Sequence, residues 1–470
     1  MEPQIYAAGA GHLPSAGLPG REPELTTWQR VCADTLARGR VGALDTILIG
    51  HRGVGKTVTM KACALAAHKQ GFARLSLQAT PDATLSGALL RAAEEYDTSE
   101  HRAAWAKLRD TLGRITSVSG TVATVGGSIS LAPPDAQPGQ DPYNASAVSR
   151  ALADLAADLH TATGGGIMLC IDELQMLAPA DMRTLGGVLN DLNNWHPDAR
   201  VVFLATGLPN TMSALVGPDL ERPHISNPAR LFTTKAIPPY LSQAETAQAL
   251  RGPSLQRGID WTDAAVAAVK DLTGGYPAHL QVLAEETWTL TPAGPVDSDQ
   301  VNAAAAAAQD RVDTMFAAPR WDRLGPQQKA YLAALALAGG EARSGHLAAM
   351  LDTSSKNLSG RRDRLIRTGD IYTPRAGWVA LSQPMMATYM LRAYRDLYVD
   401  DSHGNLPSLE DMAHRRDHYV DGRTRTAPTD AELDRLRQIG STFRNLSDTH
   451  DHARPPTRAD STGISRRDRH

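Results

Sequence analysis

Residues 45–57, DTILIGHRGVGKT, place a glycine-rich loop directly between a short apolar run and an alanine-rich segment. The pattern G-x-x-x-x-G-K-T begins at Gly50 and ends at Thr57, and it is typical of a phosphate-binding loop after a β-strand. Backbone N–H groups of such a loop converge on phosphate oxygens, and the following helix points its N-terminus at the anion. The stretch therefore predicts an α/β fold with a phosphate site after an early strand.

The same loop supplies most of the predicted nucleotide contacts. We expect Lys56 to reach the β- and γ-phosphates of ATP, and Thr57 to hold Mg²⁺ through its hydroxyl group. A plain glycine turn between a strand and a helix is the alternative, but it would not need the four specified residues Gly50, Gly55, Lys56 and Thr57. The remaining residues expected to contact the nucleotide are Gly50, His51, Arg52, Gly53, Val54, Gly55 and Val58.

A second apolar run, GIMLCIDE at Gly166 to Glu173, ends in two adjacent carboxylates. Unbroken apolar runs are typical of strands buried on both faces of a parallel sheet. Phosphoryl transfer depends on positioning and on neutralising developing charge. We therefore expect Asp172 to hold Mg²⁺ and Glu173 to activate the attacking water, although such a strand end is also compatible with a structural role.

Composition excludes several classes of protein. The chain of 470 residues has a net charge of -3 and only three cysteines, Cys32, Cys63 and Cys170, without metal-binding spacing. Any nucleic-acid contact would have to come from a local basic patch. The sequence has neither an apolar run long enough to span a membrane nor a signal-peptide pattern, which leads us to expect a cytoplasmic protein without membrane contact.

Alternating strand and helix patterns predict a parallel α/β core over residues 21–240, preceded by a flexible arm over residues 1–20. We expect a β-hairpin insertion over residues 116–130 and a helical lid over residues 241–318. Residues 319–397 have the order helix, helix, helix, hairpin, which is typical of a winged helix-turn-helix. Residues 398–470 are polar and predict a mostly disordered tail, with one possible helix at Asp430 to Ile439.

Several motifs together resemble the Orc1/Cdc6-like branch of AAA+ and signalling ATPases over residues 20 to 395. They are the phosphate-binding loop and GREPEL, CIDELQ, FLATGLPN, NPARLF and TGGYPAHLQ, which begin at Gly20, Cys170, Phe203, Asn227 and Thr273. The resemblance implies a P-loop NTPase parallel sheet of AAA+ type with a helical lid and a winged helix-turn-helix domain.

The resemblance also implies roles for residues outside the two main motifs. Arg21 is expected near the adenine base, Thr206 at the position that senses the γ-phosphate, and Pro277 against the nucleotide. Arg230 resembles an arginine offered to the nucleotide of a neighbouring subunit, with Arg222 as its rival, which implies a homo-oligomer.

One position departs from the family. The lid motif lacks the second-sensor arginine and continues with His279, which either contacts phosphate or packs. We therefore expect a slow ATPase that acts as a switch.

Residues 354–367 predict a basic recognition helix in the winged unit, and Trp378 predicts the base of its wing. Such a patch would neutralise several phosphates of duplex DNA, but winged helices also bind proteins, and packing on the lid is a third possibility.

The function expected is a Mg²⁺-dependent ATPase switch that binds DNA. The alternative is a signalling ATPase with protein partners. The candidate DNA-binding residues are Lys356, Arg361, Arg362, Arg364, Arg367 and Arg375.

Overall fold

The computed structural model describes residues 5–6, 17–40, 45–81, 84–96, 102–121, 142–219, 221–290, 294–383, 385–399, 406–420 and 423–424. Over these residues the chain forms a parallel α/β core, a unit built of helices, and a third unit that combines helices with a short antiparallel sheet.

The core is built on a five-stranded sheet in which all neighbouring strands run parallel, in the order β2-β3-β4-β1-β5. The central strand β4 is buried at every position, and β3 at all but its last residue, as strands covered by helices on both faces require. The predicted parallel α/β fold is confirmed. The strands are β1 (Asp45–Ile49), β2 (Phe72–Gln78), β3 (Gly166–Asp172), β4 (Val201–Gly207) and β5 (Phe232–Ala236).

The sequence patterns predict four of these strands and miss β5. This strand, FTTKA, buries only Phe232 fully and forms the edge of the sheet beside β1. An edge strand with polar residues on its exposed side has neither a continuous apolar run nor a clear alternation, so its pairing with β1 defines it.

Among the described residues of the core, eight helices cover this sheet, and those between β2 and β3 add a layer around Trp105 and Leu112. They are α1 (Glu22–Arg38), α2 (Lys56–His68), α3 (Leu85–Glu94), α4 (Arg102–Thr121), α5 (Pro142–Thr163), α6 (Pro179–Trp195), α7 (Thr211–Val216) and α8 (Pro228–Leu231).

The prediction of a β-hairpin over residues 116–130 is wrong where it begins. Helix α4 continues through residues 116–121 to Thr121, although these residues are rich in Ser, Thr and Val. Packing of the earlier turns, through Trp105, Leu108 and Leu112, carries the helix through a segment of low helix propensity. Residues 122–130 lie outside the described residues.

The second unit consists of α9 (Gln243–Leu255), α10 (Asp263–Thr273), α11 (Pro277–Leu290) and α12 (Ser298–Val312). Its apolar core includes Tyr6, from the segment predicted as a flexible arm, and this prediction is wrong at that residue. Tyr6 is 2% exposed. Its hydroxyl donates to the Leu250 carbonyl at 2.5 Å and accepts from Trp261 Nε1 at 2.9 Å. Burial of an aromatic ring with a satisfied hydroxyl fixes this residue on the helices.

The third unit follows a π-helical turn at Asp313–Ala317 and contains the expected order of three helices and a hairpin. One further strand, β6, was not predicted and makes the sheet three-stranded, in the antiparallel order β6-β8-β7. The elements are α13 (Ala318–Trp321), α14 (Pro326–Leu337), β6 (Glu341–Arg343), α15 (Ser344–Met350), α16 (Ser355–Thr368), β7 (Ile371–Tyr372), β8 (Trp378–Leu381) and α17 (Met386–Val399).

The expected disorder of residues 398–470 is wrong for the stretch that contains α18 (Leu409–Asp417). Met412 on this helix is fully buried in the apolar core of the third unit. Arg416 Nη1 donates to the Leu337 carbonyl at 3.0 Å. Two short strands follow, β9 (Tyr419–Val420) and β10 (Arg423–Thr424), whereas the possible helix at Asp430 to Ile439 lies outside the described residues.

Candidate nucleotide-binding site

The predicted phosphate-binding loop, residues 50–57, connects β1 to α2 at the carboxyl end of the sheet. Gly53 and Gly55 have φ angles of 81° and 92°, a region that residues with a Cβ seldom adopt. A Cβ on Gly53 would also lie 2.9 Å from the Cβ of Ala278. These two glycines let the loop turn into α2 with its backbone close to a neighbouring unit.

Lys56 is folded back over the loop and is not exposed to solvent. Its side chain is 4% exposed, and Nζ lies 3.9 Å from Glu173 Oε1. Nζ also donates to the His51 carbonyl at 3.0 Å. Burial lowers the pKa of Lys56, while the charge of Glu173 opposes that shift. An anion bound at the loop would strongly favour the charged form of this desolvated ammonium group.

Asp172, the last residue of β3, accepts hydrogen bonds from two threonines on its two carboxylate oxygens. Thr57 Oγ1 donates to Oδ2 at 2.9 Å, and Thr206 Oγ1 donates to Oδ1. Mg²⁺ takes oxygen ligands and commonly combines one or two protein groups with phosphates and water. The Thr57 hydroxyl and the Asp172 carboxylate fit that donor set. The described residues contain no group of three or more His, Cys, Asp or Glu that would hold a metal alone.

Glu173 leaves the strand in a left-handed conformation, with φ 55° and ψ 50°, which is uncommon for a residue with a side chain. Its backbone N–H donates to Thr206 Oγ1 at 3.0 Å. One carboxylate oxygen faces Lys56, and the other accepts from the Gln175 amide. The turn therefore directs the carboxylate of Glu173 toward the phosphate-binding loop.

Gln175 is a site residue that sequence reasoning missed. Its Nε2 donates to Glu173, while its Oε1 accepts from the backbone N–H of Leu208 at 3.3 Å. Gln175 thus ties the carboxylate of Glu173 to the turn that follows β4. The motif CIDELQ contains this glutamine, but only the proximity of β3 and β4 reveals its partner.

An open cleft lies beside the loop and is lined by residues that include Leu18, Arg21, Val54, Leu241 and Pro277. The Arg21 guanidinium is buried and donates from Nη2 to the carbonyls of Val54 and Pro238, both at 3.0 Å. Arg21 therefore joins the segment before α1 to the loop and to the chain after β5. The apolar lining of this cleft suits a flat aromatic base.

The second and third units both contact the outer part of the loop. The Arg52 carbonyl accepts from the hydroxyl of Tyr276, which precedes α11, and from Gln383 Nε2, which follows β8. The Ala278 N–H donates to the Gly53 carbonyl at 3.1 Å. The His51 ring lies 4.3 Å from the Tyr372 ring. Residues 51–53 thus connect all three units.

Three further residues singled out in the sequence are Arg230, Arg222 and His279. Arg230, in the short helix α8, and Arg222 are both exposed. His279 is buried beside Tyr276 and Phe316, and burial lowers its pKa to about 4. A neutral histidine packed between aromatic rings corresponds to the packing alternative.

The candidate DNA-binding residues fall into three groups. Lys356, Arg364 and Arg367 are exposed on α16, whereas Arg361 and Arg362 are half-buried. Arg375 stacks 3.8 Å above the Trp378 ring and pairs with Glu341 at 3.2 Å. The exposed face of α16 is therefore the larger basic surface, and Arg375 is already engaged within the third unit.

Comparison with known families gives two matches. Residues 17–203 match the AAA ATPase domain, and residues 314–390 match a domain of unknown function, DUF8462. The first match spans the phosphate-binding loop, β3 and the start of β4. This region forms a parallel sheet with flanking helices. The match in the third unit carries no function with it, and no curated protein matches the chain.

Three solved structures are similar over most of their length. The Walker-type ATPase PABY2304 of Pyrococcus abyssi is 15% identical, with a TM-score of 0.49, and the match covers 83% of this chain and 99% of that one. Cdc6p from Pyrobaculum aerophilum is 13% identical, with a TM-score of 0.38 and coverages of 83% and 99%. The Holliday junction branch migration motor RuvB of Thermotoga maritima is 16% identical, with a TM-score of 0.39 and coverages of 81% and 95%.

Proposed function

We propose that the protein is a Mg²⁺-dependent ATPase of AAA+ type that acts as a switch. The observation that carries this proposal is the convergence of Lys56, Thr57, Asp172 and Glu173, from two separate strand ends, within hydrogen-bonding or ion-pair distance. A lysine, a hydroxyl, a metal-binding carboxylate and a second carboxylate are the groups that phosphoryl transfer from ATP to water requires. The test is Mg²⁺-dependent phosphate release from ATP, with the same measurement in EDTA as the control.

In this proposal each residue has a separate task. Lys56 binds the β- and γ-phosphates, and Thr57 and Asp172 hold Mg²⁺, which would neutralise developing negative charge. Glu173 accepts a proton from the attacking water. Thr206 links the Asp172 carboxylate to the backbone of Glu173, because its hydroxyl donates to Asp172 and accepts from the N–H of Glu173. The base occupies the cleft beside Arg21 and Pro277, and the backbone of residues 50–58 binds the phosphates.

We propose that turnover is slow. Glu173 is already engaged on both carboxylate oxygens, by Lys56 and by Gln175. A carboxylate held in this way has to exchange a partner before it can accept a proton from water. Nucleotide at the loop draws Lys56 toward phosphate, which frees one of the two oxygens.

The contacts at Arg52 support a coupling between nucleotide state and the third unit. Gln383 and Tyr276, from different units, donate to the same carbonyl in the loop. Reshaping of residues 51–53 by bound phosphate changes both bonds at once.

We propose boundaries at residues 21–240 for the core, 241–318 for a helical lid and 319–397 for a winged helix-turn-helix. We further propose that Arg230 acts on the nucleotide of a neighbouring copy in a homo-oligomer, with Arg222 as the alternative.

Duplex DNA is the proposed partner of the third unit, because α16 carries an exposed basic face in a chain whose net charge is only -3. Lys356, Arg364 and Arg367 lie on that face, and no described residue forms an ion pair with any of them. A signalling ATPase that uses this surface for an acidic protein partner is the second candidate.

The described residues contain no helix long and apolar enough to cross a membrane.

Changing Lys356, Arg364 and Arg367, the three residues of the exposed face, together to Ala is expected to weaken DNA binding and to make it less dependent on salt. Each lost phosphate contact lowers the log-log salt slope by about 0.9, so the slope should fall by roughly 2 to 3. Fluorescence anisotropy with duplex DNA across a salt series, with ATP, ADP or no nucleotide, measures both quantities.

The matched control changes the exposed residues Arg30, Arg150 and Arg257 to Ala, which removes the same charge elsewhere. Equal losses of DNA affinity in both triple variants would show that overall charge, and not the surface of α16, causes the effect. No DNA binding by the wild type in any nucleotide state would favour the protein partner.

A further inference from the structure

Arg320, on α13 at the start of the third unit, is a largely buried cation with few partners. Its side chain is 23% exposed, and its guanidinium lies 3.9 Å from Asp370. Among the described residues, none accepts a hydrogen bond from the side chain of Arg320. A guanidinium has five N–H donors, and desolvating a charge is costly unless other groups pair with it. Arg320 therefore has donors to offer to a ligand.

The groups around Arg320 belong to the phosphate-binding site. Its charge interacts with Arg52 and Glu173, and it acts in turn on Lys56. Burial lowers the pKa of Arg320, and repulsion from Arg52 adds to this shift. Asp370, the ion-pair partner of Arg320, also lies close to the loop. A Cβ on the preceding residue, Gly369, would lie 3.7 Å from Arg52 Nε. The ion pair of Arg320 with Asp370 thus lies beside Arg52 of the phosphate-binding loop.

We propose that Arg320 contacts the terminal phosphate of a bound nucleoside triphosphate and makes the site prefer a triphosphate to a diphosphate. This inference rests on the proposed function. The ion pair with Asp370 holds the Arg320 guanidinium beside the phosphate-binding loop, because Gly369, next to Asp370, lies close to Arg52 of that loop. The planar guanidinium matches two phosphate oxygens at once. A diphosphate ends short of this position and leaves Arg320 with Asp370.

The geometry also implies competition. Asp370 follows α16, the proposed recognition helix, and it is the ion-pair partner of Arg320 in the structure. A terminal phosphate and the Asp370 carboxylate would compete for the same guanidinium. Binding of the triphosphate would therefore loosen a contact between α13 and the end of α16.

Arg320→Gln is expected to lower affinity for a non-hydrolysable ATP analogue by about 10-fold or more, since a charge-assisted hydrogen bond contributes roughly 1.5–3 kcal/mol. Affinity for ADP should stay within about twofold, because the diphosphate makes no contact with Arg320. Isothermal titration calorimetry with Mg²⁺ measures both. Arg323→Gln is the matched control, because Arg323 is exposed three residues further along. It should leave both affinities unchanged.

Asp370→Asn separates phosphate binding from a structural ion pair. If Arg320 acts on phosphate, this variant keeps the preference for the ATP analogue. An equal loss of that preference in Asp370→Asn and Arg320→Gln would overturn the proposal, as would equal losses for both nucleotides in Arg320→Gln. If the single variant does not fold, Arg320→Gln combined with Asp370→Asn removes both charges and takes its place. Absence of nucleotide binding by the wild type and Arg323→Gln would instead refute the proposed ATPase function itself.

Discussion

Lys56→Ala is expected to lose measurable ATP binding at concentrations that saturate the wild type. Lys56 is the buried cation within the loop, and its ammonium lies against the His51 carbonyl and Glu173. A charge-assisted contact worth about 3 kcal/mol corresponds to roughly 100-fold in affinity. Calorimetric titration with ATP and Mg²⁺ measures this loss directly.

The matched control for this variant is Lys61→Ala, because Lys61 is an exposed lysine on the same helix. It removes the same charge without touching the loop and should bind ATP like the wild type. Circular dichroism and a thermal melt establish that both variants are folded. Retention of ATP affinity by folded Lys56→Ala would contradict the assignment of the phosphate site.

Glu173→Gln is expected to bind ATP and to stop turning it over. The substitution keeps the size of the side chain and its hydrogen bond with Gln175, but an amide does not accept the proton of the attacking water. Loss of general base catalysis lowers rates by about 10² to 10⁴-fold. Single-turnover phosphate release, measured beside ATP affinity, separates the chemical step from binding.

The control for Glu173→Gln is Glu94→Gln, which changes an exposed glutamate at the end of α3. Its turnover should equal that of the wild type. Phosphate release by Glu173→Gln at the wild-type rate would show that another group activates the water. A parallel loss of ATP affinity would assign Glu173 to binding, which its 3.9 Å separation from Lys56 also permits.

Prediction from sequence succeeds where one continuous segment contains the whole structural cause. Gly53 and Gly55 permit the positive φ angles of the loop, and the apolar run of β3 is long enough to cross the sheet core. Prediction fails where neighbouring segments determine the secondary structure. The edge strand β5 exists because β1 lies beside it, and residues 116–121 are helical because α4 is anchored by its earlier turns.

The same distinction explains the errors at the two ends of the described chain. The first residues are rich in Gly, Pro and Ala, which predicts mobility, but a single aromatic residue, Tyr6, finds a buried place among helices 244 residues away. The polar composition after residue 398 hides one apolar residue, Met412, that joins the core of the third unit. Composition averages over a segment, whereas burial depends on individual side chains.

The sequence by itself determined the glycine-rich loop, the two carboxylates at the end of β3 and the parallel fold, because these depend on backbone freedom and hydrophobic pattern within short segments. Only the tertiary structure decided that Gln175 holds Glu173, that Tyr276 and Gln383 meet on the Arg52 carbonyl, and that Arg320 pairs with Asp370. Gln383 is 331 residues from its partner in sequence. Contacts over such separations follow from how whole units pack, and no local pattern encodes them.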